Sequence, residues 1–523
     1  MKIFNRLIGK PVMLLCALLL VSCGGDSGGG VSAYRDLVSG QDWSEGIYFP
    51  ADNYQNSCET PTSEQREGSA YDEKMWLRSW TNDVYLWYDE VEDVDPLGYS
   101  VADYFNVLKT NATTASGRDK DRFHFYYEID EWQQRQQGII SGYGIRWEFE
   151  VETPRLIVTI ALVAAGSPAD NQGLRRGDVV TEVDGVDTAT VYDVESALDN
   201  LNAGLFPPEH GETHIFTVQS LSGETREVSL ESAPVATQAV TASEVIETDG
   251  SSLGYVAFNN HNLVAQDALV ESFQSFVDAG VEDVVLDLRY NGGGYLAVAS
   301  QLAYMIAGEQ QTEGKVFERV VFNDKHTETN PFTGSDLAPM PFNSKTIDFF
   351  GELPDGRDLP NLGLNRVVVI TTGDTCSASE SIMNSLRGID VEVIQIGSTT
   401  CGKPYGFYGT ENCQNIYFSI NMKGENDKGF GDYADGFSPQ NLPSTEPAGV
   451  SLEGCYAEDD LSRELGDPDE GMFAAAIKYL ASGECDTAVL QKASAAAAQK
   501  TGDLPVLEGL EALRRVEGLK LYR

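Results

Sequence analysis

The stretch VVLDLRYNGGG, residues 284–294, decides the fold because it joins a strand-like run to a glycine-rich turn. Its first five residues are apolar except for Asp287, as in the strands of a parallel sheet that is covered on both faces. A glycine-rich turn between a strand and a helix points free backbone N–H groups at a negatively charged atom. The stretch therefore predicts an α/β core with a candidate site at the end of this strand.

The sequence on both sides continues this α/β pattern. Apolar strand-like runs alternate with amphipathic helical runs, which is typical of a parallel sheet with crossover helices. The predicted strands are residues 254–258, 284–289, 366–371, 391–396 and 416–421, and the predicted helices are residues 263–279 and 296–307.

A second informative stretch is GDTCSASESIMNSL, residues 373–386, where a loop turns into a helix. Ser377 and Glu380 have the S-x-x-E spacing of a capping box, which closes a helix N-terminus. The same position suits a nucleophile, because free N–H groups at a helix N-terminus lie beside a developing oxyanion. From these residues, helix capping and catalysis both remain open for Ser377.

Residues 138–235 combine short strands with glycine-rich turns, in an order that resembles a PDZ domain of the circularly permuted bacterial protease kind. The pieces are a glycine-rich loop at 141–145, strand-like residues 146–149 and 156–160, Gly-Ser-Pro-Ala at 166–169 and Gly-Leu-Arg-Arg-Gly-Asp at 173–178. A PDZ domain adds an extended peptide to a sheet edge and holds its terminal carboxylate with backbone N–H groups. The resemblance assigns that loop to Gly142, Tyr143, Gly144 and Ile145. The alternative is a small β domain without peptide affinity.

Four features now stand in order along the chain: the PDZ-like region, the glycine turn after Asp287-Leu-Arg, the Ser377-Ala-Ser-Glu380 motif, and Gly402-Lys403 after a strand. Together they resemble the carboxyl-terminal processing peptidases, the tail-specific serine proteases of the S41 class, over residues 138–450. The resemblance implies a multidomain α/β fold, with a small helical N-terminal domain, a PDZ-like β domain and a crotonase/ClpP-like α/β S41 protease core.

The resemblance also implies the roles of the site residues. Ser377 corresponds to the nucleophile and Lys403 to the general base. The oxyanion hole corresponds to the N–H groups of Gly293 or Gly294 and of Ala378. No metal and no cofactor are expected, and the expected partners are polypeptides bound through their C-terminal tails.

The proposed base needs a particular environment. A serine hydroxyl is a poor nucleophile until a base takes its proton, and lysine is that base only where burial lowers its pKa. Lys403 lies between apolar residues in the sequence, which favours burial. The chain departs from the family at Phe407, where the family often has a glutamine that orients the base. Either the serine and lysine work as a bare dyad, or another residue, with Gln395 as the candidate, replaces the glutamine.

The N-terminus resembles a bacterial lipoprotein signal. Positively charged Lys2, Arg6 and Lys10 precede a short apolar run that ends at Cys23, the expected lipidated residue. In bacterial lipoproteins, which this signal resembles, the residue after the lipidated cysteine indicates the destination. A glycine here, rather than an aspartate, favours an outer-membrane lipoprotein facing the periplasm or the exterior. The net charge of −45 argues against nucleic acid as a partner, because nucleic-acid binding requires a basic surface.

The composition predicts six segments. An aromatic helical stripe formed by Trp76, Leu77, Trp80, Val84, Trp87 and Tyr88 marks the helical domain, and Tyr104, Phe105 and Leu108 mark a second helix in it. The predicted segments are a signal peptide at 1–23, a flexible tether at 24–65, a helical domain at 66–137, a PDZ domain at 138–235, the peptidase core at 236–485 and a helical tail at 486–523.

Six of the eight cysteines lie beyond the signal, and an even number in an exported protein predicts disulfides. Their pairing stays open. Cys401 with Cys413 bridges a predicted hairpin, and Cys455 with Cys485 is a second candidate pair. Cys58 and Cys376 complete the set, and Cys376 has no evident histidine partner that would make it a nucleophile. His210 and His214 have helical spacing but lack the H-E-x-x-H order, so a polar loop is predicted there rather than zinc.

The leading hypothesis is a lipid-anchored serine endopeptidase of the cell envelope that acts on proteins with accessible C-terminal tails. The alternative is a catalytically degenerate PDZ-containing scaffold lipoprotein that binds peptides, which the absence of the glutamine favours. A third hypothesis is an enzyme that acts on thioesters with the same core fold. The export signal and the lack of a nucleotide-binding signature argue against it.

Overall fold

A computed structural model describes the chain at residues 43–152, 155–193, 195–207, 209–248, 251–349, 356–443 and 448–486. The chain divides into two units, residues 1–47 and residues 48–523. In the described part of the first unit, the Ile47 N–H closes a turn by donating to the Ser44 carbonyl at 3.1 Å. The fold below belongs to the second unit.

The N-terminal part is mostly helical, as the sequence predicts. Its elements are β1 (Ser57–Cys58), β2 (Arg66–Glu67), α1 (Ala70–Val84), α2 (Val101–Val107), β3 (Phe125–Glu128) and α3 (Ile129–Gln136). Ser69 and Ser100 cap α1 and α2 by accepting a backbone N–H with their hydroxyls.

The predicted stripe extends too far, because α1 ends at Val84 and so excludes Trp87 and Tyr88. Tyr85 leaves the helix in an extended conformation, and its hydroxyl donates to buried Asp121 at 2.6 Å.

The PDZ-like part is an antiparallel sheet in the order β10–β9–β7–β6–β5, with β8 paired to β7. Its strands and helices are β4 (Ile139–Gly142), β5 (Ile145–Glu152), β6 (Arg155–Val163), α4 (Pro168–Asn171), β7 (Val179–Val183), β8 (Val186–Asp187), α5 (Glu195–Leu205), β9 (Thr213–Gln219), β10 (Thr225–Glu231) and β11 (Ala233–Ala236). β5 is an edge strand of this sheet, the kind of position at which another strand can be added.

The core is a six-stranded sheet in the order β12–β13–β14–β17–β18–β25, parallel except for the β12–β13 pair. Its elements are β12 (Val240–Thr248), β13 (Ser251–Phe258), α6 (Ala265–Ala279), β14 (Asp283–Asp287), α7 (Leu296–Thr312), β17 (Arg366–Thr371), α8 (Ala378–Gly388), β18 (Glu392–Gly397), β25 (Gly454–Cys455) and α9 (Gly471–Ser482). The strand predicted at residues 284–289 thus ends earlier, at Asp287.

Both faces of this sheet are covered, which explains the continuous apolar run in β14. Val284 and Leu286 pack in one apolar cluster with helices α6, α7 and α8, whereas Val285 packs in another with α9. The carboxyl ends of the parallel strands β14, β17 and β18 lie at one edge of the sheet. The glycine turn, Ser377 and Lys403 each follow one of these strands.

Smaller strands connect the N-terminal part to the core. They are β15 (Val316–Val321), β16 (Met340–Pro341), β19 (Tyr405–Gly406), β20 (Thr410–Asn412), β21 (Asn415–Phe418), β22 (Met422–Glu425), β23 (Phe437–Pro439) and β24 (Val450–Leu452). N-terminal β3 pairs with β21, and a disulfide joins Cys58 to Cys413. The predicted Cys401–Cys413 bridge is therefore wrong, because Cys413 faces the N-terminal part. The predicted Cys455–Cys485 pair is present.

The signal peptide with Cys23, residues 24–42 of the predicted tether, and the predicted tail after residue 486 lie outside the described residues. In the described part of the predicted tether, Tyr54 and Cys58 are buried. Within the described ranges, none of the helices is both long enough and apolar enough to cross a membrane.

Candidate active site

Ser377 stands between β17 and α8, as the residue before the first turn of the helix. Its backbone is at φ 55° and ψ −116°, a conformation that a residue with a side chain rarely adopts. Its neighbours Cys376 and Ala378 are buried, whereas Ser377 is half-buried. The sharp strand-to-helix turn thus presents this one side chain, in the manner of a nucleophile elbow.

Lys403 lies on the loop that follows β18, and it is 6% exposed, so the predicted burial is confirmed. Its ammonium nitrogen lies 4.0 Å from the ring centroid of Phe407 and 4.9 Å from that of Phe123. Phe407, which replaces the family's glutamine, therefore contacts the proposed base directly.

Gln395 does not replace the glutamine. Its side-chain nitrogen donates to the Thr371 hydroxyl at 2.9 Å and to the carbonyls of Ser398 and Phe437 at 3.0 and 2.9 Å. These three hydrogen bonds join β17, β18 and β23, so Gln395 holds the sheet edge together and the prediction for it is wrong.

The Glu380 carboxylate links Ser377 to Lys403. One of its oxygens accepts the backbone N–H of Ser377 at 3.0 Å and that of Lys403 at 2.8 Å. The other oxygen accepts the N–H of Gly402 at 2.9 Å and the hydroxyl of Thr400 at 2.5 Å. Burial raises the pKa of the Glu380 carboxyl, while these hydrogen bonds act in the opposite direction. The S-x-x-E pattern thus contributes to capping and also fixes the lysine loop.

A disulfide joins the same two segments. Cys376 directly precedes Ser377, and it is bonded to Cys401, two residues before Lys403, with a Cα–Cα distance of 5.2 Å. The sequence places both cysteines near the site, but it does not pair them.

The glycine turn after β14 lies against the Ser377 turn. A Cβ atom on Gly293 would lie 2.7 Å from the Ser377 Cβ and 2.9 Å from the Ala378 nitrogen, so only glycine fits there. The Gly293 N–H donates to the Asn291 side chain at 2.9 Å. Among the described residues, neither the Gly294 N–H nor the Ala378 N–H has an acceptor, so these two are available to an oxyanion.

Asn291 organises this turn. Its side-chain oxygen also accepts from the His261 ring at 2.9 Å, and its carbonyl accepts from the Cys376 N–H and the Ser379 hydroxyl, each at 3.0 Å. Burial lowers the pKa of His261 to about 4. A neutral His261 therefore supports the turn by donating to Asn291.

The predicted peptide-binding loop lies at the start of edge strand β5. The Tyr143 side chain is buried, and its hydroxyl donates to the Gly204 carbonyl in α5 at 2.9 Å. Gly144 has φ 76°, and a Cβ atom there would lie 2.3 Å from the Ser167 Cβ, so the loop requires glycine.

A cavity of about 360 Å³ connects this loop to the core. It is lined by Gly144 and Ile145 from the loop and by Asn259, Asn260 and Tyr290 from the core. Arg146, the next residue of β5, forms an ion pair with Asp374, three residues before Ser377, and lies 4.7 Å above the Tyr290 ring. The PDZ-like part therefore contacts the segments that carry the site.

The metal-like clusters of the described residues do not offer a metal site. The groups Cys58, Glu73, Cys413 and Cys376, Glu380, Cys401 each place ligand atoms within 4.8 Å of one another. In both groups the two sulfurs form a disulfide, and a metal requires thiolates.

His210 and His214 do not share the predicted loop, because His214 lies in β9. His210 contacts the Ser141 hydroxyl at 3.1 Å and His214 contacts the Asp184 carboxylate at 2.5 Å.

Two residues that contact the candidate site, Phe123 and Asn291, are not predicted from the sequence. Phe123 lies far from Lys403 in sequence, and no local pattern connects the two. Asn291 lies in the glycine turn, but the glycine-rich pattern predicts a role for the backbone N–H groups of the turn and not for the Asn291 side chain.

Two family profiles match the chain, Peptidase family S41 at residues 252–407 and PDZ domain at residues 159–205. A carboxyl-terminal-processing protease of Picosynechococcus sp. is 26% identical over 204 residues, which cover 39% of this chain and 47% of the relative. One of Synechocystis sp. is 27% identical over 166 residues, which cover 32% of this chain and 37% of the relative. The chain thus spans less than half the length of these curated relatives.

The fold also matches a solved structure. The crystal structure of an S41 protease from Bacteroides fragilis superposes with a TM-score of 0.57 at 22% identity, and the match covers 78% of this chain and 97% of that one. The predicted resemblance to the S41 peptidases and the predicted fold class are therefore confirmed.

A buried acid lies beneath the helix that begins at Ser377. Glu318 on β15 is 6% exposed and is hydrogen-bonded to the hydroxyl of Ser381, one turn into α8. Gly424 leaves room for it, since a Cβ atom there would lie 2.4 Å from the Glu318 carboxyl carbon. Burial raises the pKa of Glu318 from 4.5 to about 7.

Glu318 therefore makes stability depend on pH. The folded state holds this proton more tightly than the unfolded state, so the free energy of unfolding falls as pH rises from about 4.5 to about 7. We expect Glu318→Gln to be more stable than the parent at pH 8, by up to about 3 kcal/mol, and no more stable at pH 4. Urea unfolding at both pH values measures this, with exposed Glu328→Gln as the control. Equal stability at pH 8 contradicts the assignment.

Proposed function

Because residues 252–407 match Peptidase family S41, we propose that this chain is a serine endopeptidase of the carboxyl-terminal processing type that works through a Ser377–Lys403 dyad. The observation that carries the proposal is the Glu380 carboxylate, one oxygen of which accepts the backbone N–H groups of both residues. This arrangement fixes the nucleophile loop relative to the base loop.

The reaction follows the usual course of acyl transfer. The Ser377 hydroxyl oxygen attacks the carbonyl carbon of the peptide bond while neutral Lys403 takes the hydroxyl proton. The Lys403 proton then goes to the leaving amine, which departs and leaves an acyl ester on Ser377. Lys403 next takes a proton from water, and the resulting hydroxide attacks the ester carbonyl. The bond from this carbon to the Ser377 oxygen breaks, Lys403 returns the proton to that oxygen, and the new C-terminus is released. Burial favours the neutral form of a lysine, which this mechanism needs.

The developing oxyanion is stabilised by the N–H groups of Gly294 and Ala378. Each lies at the N-terminal end of a helix, where unpaired N–H groups favour negative charge. Loss of one such donor typically lowers the rate by about 10²–10³. Gly293 brings the two turns close together, while its own N–H is engaged by Asn291.

The substrates of this activity are polypeptides held by their C-terminal tails in the PDZ-like part. The edge position of β5 suits pairing with an extended peptide, and the Gly142–Ile145 loop begins this strand. The cavity beside the loop extends to Tyr290 and Asn259, which flank the core turn. A bound tail thus has a route towards Ser377.

The enzyme is attached to the cell envelope by a lipid on Cys23, in the manner of an outer-membrane lipoprotein. The basic residues Lys2, Arg6 and Lys10 and the short apolar run before Cys23 support this. Three disulfides in the described residues also fit an oxidising compartment.

The dyad predicts the behaviour of two substitutions. We expect Ser377→Ala and Lys403→Ala each to lower kcat/KM by at least about 10³ on a protein with a disordered apolar tail. A fluorophosphonate probe is expected to label the parent but not Ser377→Ala. Exposed Ser482→Ala and Lys428→Ala serve as controls. If the parent and both dyad variants bind tails but are equally inert, the chain is a peptide-binding scaffold instead.

Tail capture predicts a dependence on the free carboxylate. In the Ser377→Ala background, we expect a short apolar peptide to bind about tenfold more tightly than its C-terminal amide, because the amide lacks the charge that the loop holds. Fluorescence anisotropy measures both. Gly144→Ala is expected to weaken binding through its collision with Ser167, whereas Gly185→Ala, at φ 78° with open space, is the matched control. Equal affinity for acid and amide contradicts this role.

Lipidation is tested by metabolic labelling with an alkyne fatty acid. We expect the parent to be labelled and to partition into the detergent phase, and Cys23→Ser to lose both properties. Label retained by Cys23→Ser contradicts the anchor.

A further inference from the structure

Lys403 is held between two aromatic rings that belong to distant parts of the chain. Its nitrogen lies 4.0 Å from the Phe407 ring centroid and 4.9 Å from the Phe123 ring centroid. Both distances are within the range of about 6 Å at which an ammonium group interacts with the face of a ring. We name these two side chains the aromatic clamp.

Other contacts hold the Phe407 ring in place. Phe407 packs edge-on against Phe125 and Phe418, with ring centroids 5.4 and 5.2 Å apart. Phe125 lies on β3 and Phe418 on β21, two strands that pair with each other. The ring is therefore fixed by a junction of the N-terminal part with the core.

Phe123 is held by its neighbours in the N-terminal part. Its N–H donates to buried Asp121 at 2.9 Å, and Asp121 also accepts the Tyr85 hydroxyl at 2.6 Å. The adjacent Arg122 donates to the Cys401 carbonyl at 2.8 Å, two residues before Lys403. The matched S41 segment begins at residue 252, so half of the aromatic clamp comes from outside it.

We propose that Phe123 and Phe407 are positioning residues for Lys403, which hold its ammonium group by cation–π interaction and so set the pH above which the base becomes available. This inference rests on the proposed function. Phe407 stands where the family often has a glutamine, and its ring face, with that of Phe123, contacts the Lys403 ammonium group.

The aromatic clamp and burial act on Lys403 in opposite directions. Burial disfavours the ammonium form, whereas the negative ring faces favour it. Weakening the rings while keeping their volume therefore shifts the lysine towards its neutral form. The acid limb of the pH profile of kcat/KM reports the pKa of the base in the free enzyme, so this limb then moves to lower pH.

Other charged and titratable groups surround the site. Glu380 accepts the backbone N–H of Lys403. Arg122 donates to the Cys401 carbonyl on the same loop, and Asp121 accepts the backbone N–H of Phe123. Tyr405 follows Lys403 by two residues. A change confined to the ring electrons leaves all of these in place, so the difference between two ring types isolates the cation–π contribution.

The test replaces Phe407 with 4-fluoro-, 3,5-difluoro- and 3,4,5-trifluorophenylalanine in the full chain. These rings have nearly the same shape but progressively weaker negative faces. We expect the acid limb to move stepwise to lower pH, by about half a unit to one unit in total. The same series at Phe123 is expected to give a smaller shift in the same direction, because that ring is farther from the nitrogen. The same series at Phe473, which is buried in α9 in the apolar cluster of Val285, is the control and leaves the limb unchanged.

A second measurement keeps the inference separate from the proposed function. The Lys403 side chain is titrated by NMR in protein labelled with ¹³C-lysine, and its signal is assigned with Lys403→Arg. We expect the Lys403 pKa to fall along the Phe407 series whether or not the preparation cleaves peptides. An unchanged NMR titration, or an unchanged acid limb in an active enzyme, overturns the aromatic clamp. Total inactivity with a shifted NMR titration overturns only the proposed protease activity.

Discussion

The candidate site depends on one buried carboxylate. Glu380 is fully buried and accepts four hydrogen bonds, two of which come from the backbones of Ser377 and Lys403. Burying a carboxylate costs free energy unless hydrogen-bond donors surround it. The helix N-terminus and the lysine loop both supply such donors, so the carboxylate holds the two segments together. The Cys376–Cys401 disulfide joins the same two segments covalently. The spacing of the Ser377 and Lys403 backbones is thus fixed by these contacts.

The sheet supplies the second constraint. Because β14, β17 and β18 are parallel and neighbouring, the segments that leave their carboxyl ends meet at one edge. The glycine turn, Ser377 and Lys403 each occupy one of these ends. Glycine at 293 lets the first two approach within contact distance. The fold brings the three segments to one edge of the sheet, and the Glu380 carboxylate then fixes the Ser377 and Lys403 segments relative to each other.

The sequence predicts the local structure of the site better than the contacts between distant segments. The apolar run at residues 284–288 and the S-x-x-E motif encode local structure, and both are confirmed as a covered strand and a helix start. Parallel neighbours follow from the alternation of strands and helices. The Cys58–Cys413 bridge and the position of Phe123 depend instead on how the N-terminal part packs against the core, and the periodicity of the sequence does not indicate this. Gln395 differs from the prediction because its hydrogen-bond partners Thr371, Ser398 and Phe437 come from separate segments of the core, which the sequence does not pair.

The proposed base would be controlled differently by an aromatic residue at position 407 than by a glutamine. A glutamine at position 407 would orient the lysine by a directional hydrogen bond, whereas a ring face attracts an ammonium group over a broad range of angles. Phe407 therefore contacts the Lys403 nitrogen through a ring face, while the hydrogen bond to Glu380 holds the Lys403 backbone. The N-terminal part, through Phe123, closes the other side of the lysine. A core cut at the limits of the family match would keep Ser377 and Lys403 but lose Phe123, and with it this half of the surroundings of Lys403.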